Sequence, residues 1–131
     1  MSGPAVRRPA ADRAVGRAGE DAAAEELTRR GYVILERNWR CRFGEIDMVA
    51  EHRGTLVFVE VKSRGSVRFG SGAEAVDARK QRRLVRLARA YLCGRGRAGL
   101  DTPCRFDVVA VDMSRPGRPG IDVIEDAFAV S

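Results

Sequence analysis

Apolar side chains recur with two different periods along the chain, and the change of period separates helices from strands. Helical spacing runs through residues 12–30 and 74–93, whereas runs rich in β-branched and aromatic residues cover 32–40, 44–51, 55–62, 104–113 and 121–130. The order α-β-β-β-α-β-β predicts an α/β fold: one mixed, mainly five-stranded sheet between helices, in a single-domain α/β/α sandwich. We expect residues 104–113 to form a central strand and residues 121–130 an edge strand.

The second and third predicted strands are joined by a turn signal and form a hairpin. If Arg53 and Gly54 make a two-residue loop, His52 faces Thr55. Counting back along both strands then places Asp47 opposite Glu60, and Glu45 opposite Lys62, on one face of the sheet. The other face is apolar and carries Ile46, Met48, Val57, Val59 and Val61. A loop of odd length would break this register.

Three carboxylates and a lysine on a hydrophobic hairpin require an explanation, because a buried charge is costly unless it is paired or binds a metal. One alternative is a solvated sheet face with a cross-strand ion pair between Glu45 and Lys62. The first helix favours a site instead, because Glu20 lies on its small, apolar side together with Gly16, Ala23, Ala24 and Leu27. A single inward Glu20 is also compatible with an edge residue whose carboxylate reaches solvent.

These groups suggest chemistry on phosphodiesters. Glu20, Asp47, Glu60 and the carbonyl of Val61 are the predicted metal ligands, and hard oxygen ligands suit Mg²⁺ or Mn²⁺. Lys62 lies on the same predicted face, where it would orient a water molecule and stabilise the charge of a phosphorane. We therefore take Glu20, Asp47, Glu60 and Lys62 as candidate catalytic residues for metal-assisted phosphodiester hydrolysis.

The charge balance favours an anionic partner. The chain carries 24 Lys and Arg against 18 Asp and Glu, a net charge of +6 with a pI near 10, so nucleic acid is the first expectation and a membrane surface the second. The second helix has Asp77 as a candidate N-cap, with a start nearer Glu74 as the alternative. Its residues Leu84, Leu87, Ala88 and Tyr91 form one face and five arginines the opposite one. A solvated helix face is the alternative. The predicted nucleic-acid contacts are Arg64, Arg68, Arg79, Lys80, Arg82, Arg83 and Arg86, although Lys80 falls on the apolar side of the helix.

The remaining features of the sequence concern the location of the protein, its domain boundaries and Asp107. Its three cysteines contain no C-x-x-C pair, and no apolar run is long enough for a membrane span, so we expect a cytoplasmic protein. Residues 1–11 read as a disordered tail and residues 12–131 as one nuclease-like domain. We expect Asp107, inside the fourth strand, to be structural or to pair with an arginine.

Seven short motifs, in the same order, resemble the YraN-like bacterial family. They are G-x-x-G-E at 16–20, G-Y at 31–32, R-N-W-R at 37–40, G-E-I-D at 44–47, F-V-E-V-K-x-R at 58–64, F-G at 69–70 and R-F-D-V-V at 105–109. Asp47 with Glu60-Val61-Lys62 also resembles the D…(E/D)-x-K motif of the restriction-endonuclease-like superfamily, with Ile46 in place of its proline. The leading Glu20 is similar to the Holliday junction resolvase branch.

The resemblance implies a nuclease-like core and nucleic-acid binding, with Glu20, Asp47, Glu60 and Lys62 as family residues and Glu45 and Lys80 as weaker neighbours. Three hypotheses follow. The first is a Mg²⁺- or Mn²⁺-dependent DNA endonuclease, acting on branched or damaged DNA, whose four residues line one pocket. The second is a non-catalytic nucleic-acid-binding protein that uses the arginine face. The third is a structural or partner-binding module. Resolvase-like enzymes are usually dimers, so a homodimer through the second helix or the last strand is a further expectation.

Overall fold

The computed structural model describes residues 10–64, 77–94, 103–115 and 117–128. In chain order its elements are α1 Ala10–Arg29, β1 Val33–Cys41, β2 Gly44–His52, β3 Thr55–Arg64, α2 Ala78–Gly94, β4 Cys104–Asp112 and β5 Gly120–Ile124. This is the predicted element order. The tail before residue 10, the loop that contains Arg68 and the connection between α2 and β4 lie outside the described residues. Neither helix in these ranges is long and apolar enough to cross a bilayer.

One mixed five-stranded sheet carries the fold, with the strands in the order β1-β2-β3-β4-β5. The strands β1, β2 and β3 form an antiparallel meander, β4 runs parallel to β3, and β5 is antiparallel to β4. The step from β3 to a parallel β4 requires a crossover, which α2 supplies. The predicted α/β class and mixed sheet are confirmed, with β4 inside the sheet beside β3, and β5 at its edge.

The two helices cover opposite faces of the sheet, and each face has its own hydrophobic core. The core under α1 contains Ala23, Leu27, Met48, Ala50, Val57, Val59, Val109 and Val111. The core under α2 contains Leu84, Leu87, Ala88 and Tyr91 with Ile46, Val49, Leu56, Phe58, Phe106 and Val108. Side chains of β3 alternate between the two cores, as a strand buried on both faces requires. The result is a three-layered α/β/α sandwich.

The hairpin turn has the predicted form. Arg53 and Gly54 both adopt positive φ, 52° and 77°, which suits a two-residue turn between twisted strands. His52 pairs with Thr55, and the predicted register holds as far as Met48 and Val59.

The register changes beyond Met48, where the predicted pairs Asp47–Glu60 and Glu45–Lys62 are not part of the ladder. The backbone N–H of Val61 donates to Oδ2 of Asp47 at 2.7 Å, so a side chain takes the place of a backbone acceptor. Ile46 belongs to the core under α2, not to the face of Met48, and its predicted face is therefore wrong. The simple alternation of β2 is broken at Asp47.

The last strand is shorter than predicted. It ends at Ile124, and Asp126 turns the chain with a φ of 52°. The backbone N–H of Asp126 donates to Asp107 at 2.9 Å, and that of Ala127 donates to the carbonyl of Phe106 at 2.8 Å. Bonds to β4 therefore replace the continuation of β5 as a straight strand.

Asp107 is almost fully buried and is the centre of a polar cluster. Arg105 approaches both of its oxygens, with Nε at 2.8 Å from Oδ1 and Nη2 at 2.9 Å from Oδ2. The hydroxyl of Tyr32 donates to Oδ2 at 2.7 Å. His52 stacks on Tyr32 with ring centroids 4.0 Å apart, and its Nδ1 lies 2.9 Å from Nη2 of Arg105. The expectation that Asp107 pairs with an arginine is confirmed, and we call these four residues the Arg105 cluster.

Candidate metal centre

Three carboxylates from two elements meet at the start of β2. Glu20 comes from α1, whereas Glu45 and Asp47 come from β2, and one carboxylate oxygen of each lies within 4.8 Å of the others. All three side chains are partly buried. We call Glu20, Glu45 and Asp47 the acidic cluster. The structure thus brings Glu20 and Asp47 together and adds Glu45, which sequence reasoning had given a lesser place.

A close approach of α1 to the sheet positions Glu20. Gly19 is buried against β3, and a Cβ atom built on it would overlap the side chain of Ser63. Any larger residue at position 19 would push α1 and Glu20 away from the strand. Sequence reasoning named Gly16 and Ala23 as the small residues of this face and quoted Gly19 only within the G-x-x-G-E motif, so it missed this packing role of Gly19.

Asn38 links two of the three carboxylates. With its amide nitrogen turned toward the cluster, that nitrogen lies 2.8 Å from Oε1 of Glu45 and 2.9 Å from Oε1 of Glu20. Asn38 holds a positive φ of 54° within β1, a conformation that asparagine tolerates better than most residues. The other oxygen of Glu45 accepts a bond from Nε of Arg40 at 3.0 Å. Both carboxylates are therefore oriented, and sequence reasoning missed this role of Asn38.

Asp47 is an unusually basic carboxylate. Burial, together with the charges of Glu60, Glu20 and Glu45, raises its pKa to about 8 against the opposing effect of the hydrogen bond from the Val61 amide. The carboxylates here outnumber the donors that could offset their negative charge. A cation bound between these oxygens would relieve that repulsion.

Glu60 lies in β3, on the side of the sheet that α2 covers. It is buried, with 8% of its surface exposed, and its Oε1 is 2.9 Å from Nζ of Lys80. Burial disfavours the charge of Lys80, but side-chain hydrogen bonds with Lys62 and Glu60, together with the charge of Glu60, outweigh this effect and raise the pKa of Lys80. The Lys80 ammonium, the Lys62 amino group and the Glu60 carboxylate are therefore neighbours.

The four predicted catalytic residues thus fall into two adjoining groups. Asp47 touches both, because it belongs to the acidic cluster and its pKa responds to Glu60. Glu60 itself is paired with Lys80, and Val61 presents its amide to Asp47. The metal-ligand roles of Glu20, Asp47, Glu60 and the Val61 carbonyl stay predictions, as do the catalytic roles.

The donor set of the acidic cluster fits a small divalent cation. Its groups are carboxylate oxygens, which are the hard ligands that Mg²⁺ and Mn²⁺ prefer. Mg²⁺ is commonly held by only one or two carboxylates and keeps several water molecules, so a partly open cluster of three suits it.

A basic surface lies beside this site on α2. The buried residues of the helix are Leu84, Leu87, Ala88 and Tyr91, as the sequence pattern predicts. The opposite side exposes five arginines, Arg79, Arg82, Arg83, Arg86 and Arg89, and we call it the arginine face. Asp77 accepts a bond from the backbone N–H of Lys80 at 2.9 Å, which confirms it as the N-cap. Lys80 points to the sheet, and Arg64 stands at the last position of β3.

Comparison with known proteins places the chain in a family. The model of the Uncharacterised protein family UPF0102 matches residues 19–111, a span that contains the acidic cluster, Glu60, Lys62 and α2. The chain belongs to the UPF0102 family. This confirms the YraN-like family that the sequence motifs indicate.

Curated UPF0102 relatives match along most of their length. A UPF0102 protein of Symbiobacterium thermophilum is 54% identical over 116 residues, which are 88% of this chain and 97% of the relative. A UPF0102 protein of Moorella thermoacetica is 54% identical over 114 residues, covering 86% and 93%. A third, from Rhodococcus jostii, is 47% identical over 115 residues, covering 88% and 96%. The similarity therefore extends over nearly the whole length of these relatives and most of this chain.

Proposed function

We propose that this UPF0102 protein is a nucleic-acid-binding, Mg²⁺- or Mn²⁺-dependent endonuclease that hydrolyses DNA phosphodiester bonds. The observation that carries the proposal is the convergence of Glu20, Glu45 and Asp47 within 4.8 Å. Two lysines lie beside Glu60, whose charge acts on Asp47, and the arginine face lies on α2. The D…E-x-K resemblance of Asp47, Glu60 and Lys62 supports the same reaction.

The residues have separate tasks in this proposal. Glu20, Glu45 and Asp47 hold the divalent ion, and Asn38 and Arg40 keep the carboxylate of Glu45 oriented. When bound, the ion lowers the pKa of a coordinated water molecule and offsets the charge of the scissile phosphate. The side chain of Lys62 reaches Lys80 beside Glu60, and in its protonated form it stabilises negative charge on the phosphate. The exposed arginines contact neighbouring phosphates of the strand.

Branched DNA is the substrate that the resolvase-like position of Glu20 favours. A junction has two-fold symmetry, so a homodimer would present one site to each of two strands. A cytoplasmic location would give the protein access to chromosomal DNA and keep its three cysteines reduced.

Cleavage of a labelled DNA panel tests the proposal. Single-stranded, duplex, flap and four-way-junction DNA are incubated with Mg²⁺, Mn²⁺ or EDTA, using wild type, Asp47→Asn, Glu60→Ala and Asp122→Asn. We expect metal-dependent cuts that fall by about 100-fold or more in the first two variants, because several kcal/mol of charge stabilisation are lost. Asp122→Asn makes the same change on exposed β5 and is expected to cut like wild type. Cuts that persist in Asp47→Asn and Glu60→Ala would contradict the proposal.

The arginine face supports a second candidate, a non-catalytic nucleic-acid-binding protein. Its side chains are exposed on one side of α2 and need no metal to attract phosphates. In that case no DNA of the panel is cut, binding persists in EDTA and weakens steeply with salt, and Asp47→Asn binds like wild type.

A further inference from the structure

An exposed aromatic ring stands at the turn between β1 and β2. Phe43 has 39% of its surface exposed and, with Val33 and Leu35, is one of the exposed large hydrophobic residues of the described ranges. The Phe43 ring has cationic neighbours. The Cζ atom of Arg42 lies 4.9 Å from the centre of its ring, and that of Arg86 lies 5.6 Å from it. Phe43 is therefore an apolar surface set among positive charges.

The turn places this ring next to the arginine face in space and next to the acidic cluster along the chain. Gly44 lies against Leu87 of α2, which anchors the turn to the helix, and Arg86 is itself a member of the arginine face. Glu45, a member of the acidic cluster, follows Phe43 by two residues. Two residues of extended chain span at most about 7 Å. The Cα atoms of Phe43 and Glu45 are thus within about 7 Å of each other.

The chemistry of this surface matches a nucleobase attached to a phosphate backbone. Stacking of a base on an aromatic side chain stabilises a complex by about 1–3 kcal/mol per base. The exposed cation–π contact of Arg42 that a base would displace contributes only about 0.5–1 kcal/mol. The released guanidinium then remains beside the strand and can pair with a phosphate. The exchange is therefore favourable for a nucleic acid and has no equivalent for an uncharged apolar partner.

We propose that Phe43 is a base-stacking residue that selects nucleic acid with unpaired or unstacked bases, such as a single strand or the centre of a branch. In an intact duplex each base is already stacked on its neighbours, so its π-face is covered and Phe43 gains nothing. This inference rests on the proposed function for the catalytic consequence, namely that a base held here carries its backbone toward the acidic cluster. The stacking itself requires no metal.

Binding in EDTA tests the inference without cleavage. Fluorescence anisotropy is measured with a labelled oligothymidylate and with a blunt duplex, for wild type, Phe43→Leu, Phe43→Trp and Leu35→Ala. Phe43→Leu keeps the apolar bulk but removes the π-face, and we expect it to weaken single-strand binding about 10-fold, as loss of one stacked base implies. We expect little change on the duplex. Phe43→Trp is expected to bind the single strand at least as tightly as wild type, and Leu35→Ala to behave like wild type.

Several outcomes would overturn the inference. Unchanged single-strand binding by Phe43→Leu, or an equal loss on single strand and duplex, would show that the ring does not recognise bases. A wild-type dimer that dissociates in Phe43→Leu, with nucleic-acid binding intact, would make the ring a contact between copies of the chain. Circular dichroism of each variant verifies folding. If Phe43→Leu does not fold, equal affinity of Phe43→Trp for the single strand and the duplex overturns it.

The same proteins separate this inference from the nuclease proposal. If wild type cuts DNA and Phe43→Leu binds and cuts single strands equally well, the nuclease proposal stands and the role of Phe43 is excluded. Wild type that cuts nothing with either metal, but binds single strands through Phe43, removes the nuclease and leaves the stacking role.

Discussion

Two polar clusters lie at opposite ends of β2, and each contains a buried or partly buried aspartate. At the end of β2, Asp107 in the Arg105 cluster accepts bonds from Arg105, Tyr32 and the amide of Asp126. At its start, Asp47 accepts the amide of Val61 and faces further carboxylates. The first aspartate is surrounded by donors and the second by like charges. The two clusters therefore differ in charge balance more than in burial.

The protonation behaviour of the two clusters shows the same contrast. The side-chain bond to Asp107 raises the pKa of Arg105, so its charge is secured. Burial, and then the bond to Asp107, raise the pKa of Tyr32, which keeps its hydroxyl as a donor. In the Arg105 cluster, the surroundings thus favour the charged form of Arg105 and the neutral form of Tyr32. In the acidic cluster, the pKa of Asp47 is raised to about 8, so the surroundings disfavour its ionised form.

The largest expected effect is the loss of the Arg105 cluster. Asp107→Asn removes the buried carboxylate and leaves the partly buried Arg105 guanidinium with only the half-exposed Glu125 as its anion, 3.3 Å away, and we expect the free energy of unfolding to fall by about 3 kcal/mol. Urea denaturation followed by circular dichroism measures it. Asp47→Asn is the matched change at the other end of β2, and its amide oxygen can still accept the Val61 N–H.

In metal-free protein, Asp47→Asn is expected to change the free energy of unfolding in the opposite direction to Asp107→Asn. Because folding raises its pKa from the normal range near 4 to about 8, its contribution to stability falls as pH rises between these values. In EDTA at pH above 8 we therefore expect Asp47→Asn to be at least as stable as wild type. A loss in Asp47→Asn as large as that in Asp107→Asn would show that both clusters serve the fold.

The next effect is the response to metal. At a Mn²⁺ concentration 100 times its Kd, binding to the folded state alone adds about 2.7 kcal/mol, which for a chain of this size raises Tm by about 10 °C. We expect this shift in wild type and in Asp122→Asn, and its loss in Asp47→Asn and Glu45→Gln. Differential scanning fluorimetry with and without EDTA measures it, and an equal shift in all four proteins would place the ion elsewhere.

The smallest expected effect concerns the orientation of the acidic cluster. Asn38→Gly removes the amide between Glu20 and Glu45 while easing the positive φ of this position. We expect Mn²⁺ affinity to fall by about 10- to 100-fold, as for other residues that orient metal ligands, with the fold retained. Arg53→Gly is the control, because it eases another positive φ, at the hairpin turn, and should leave the affinity unchanged. Isothermal titration calorimetry measures both, and equal affinities would remove the role of Asn38.

The sequence alone determined the elements of this protein and the features that depend on neighbouring residues. Period and β-branched content predict the helices and strands, and Arg53-Gly54 predicts the hairpin register as far as Met48 and Val59. The helical wheel predicts both the buried face of α2 and the inward direction of Lys80. These features follow from local sterics and spacing, which one segment contains in full.

Only the tertiary structure decided how the candidate site is assembled. The overlap that forbids a side chain at Gly19, the bond from Val61 to Asp47 and the amide of Asn38 between Glu20 and Glu45 each join segments that are distant in sequence. Strand alternation predicted Glu60 on the same face as Glu45. Because the alternation breaks at Asp47, Glu45 lies in the acidic cluster, whereas Glu60 pairs with Lys80. Periodicity describes a regular strand, whereas the departure from it depends on which side chain from another element competes for a backbone hydrogen bond.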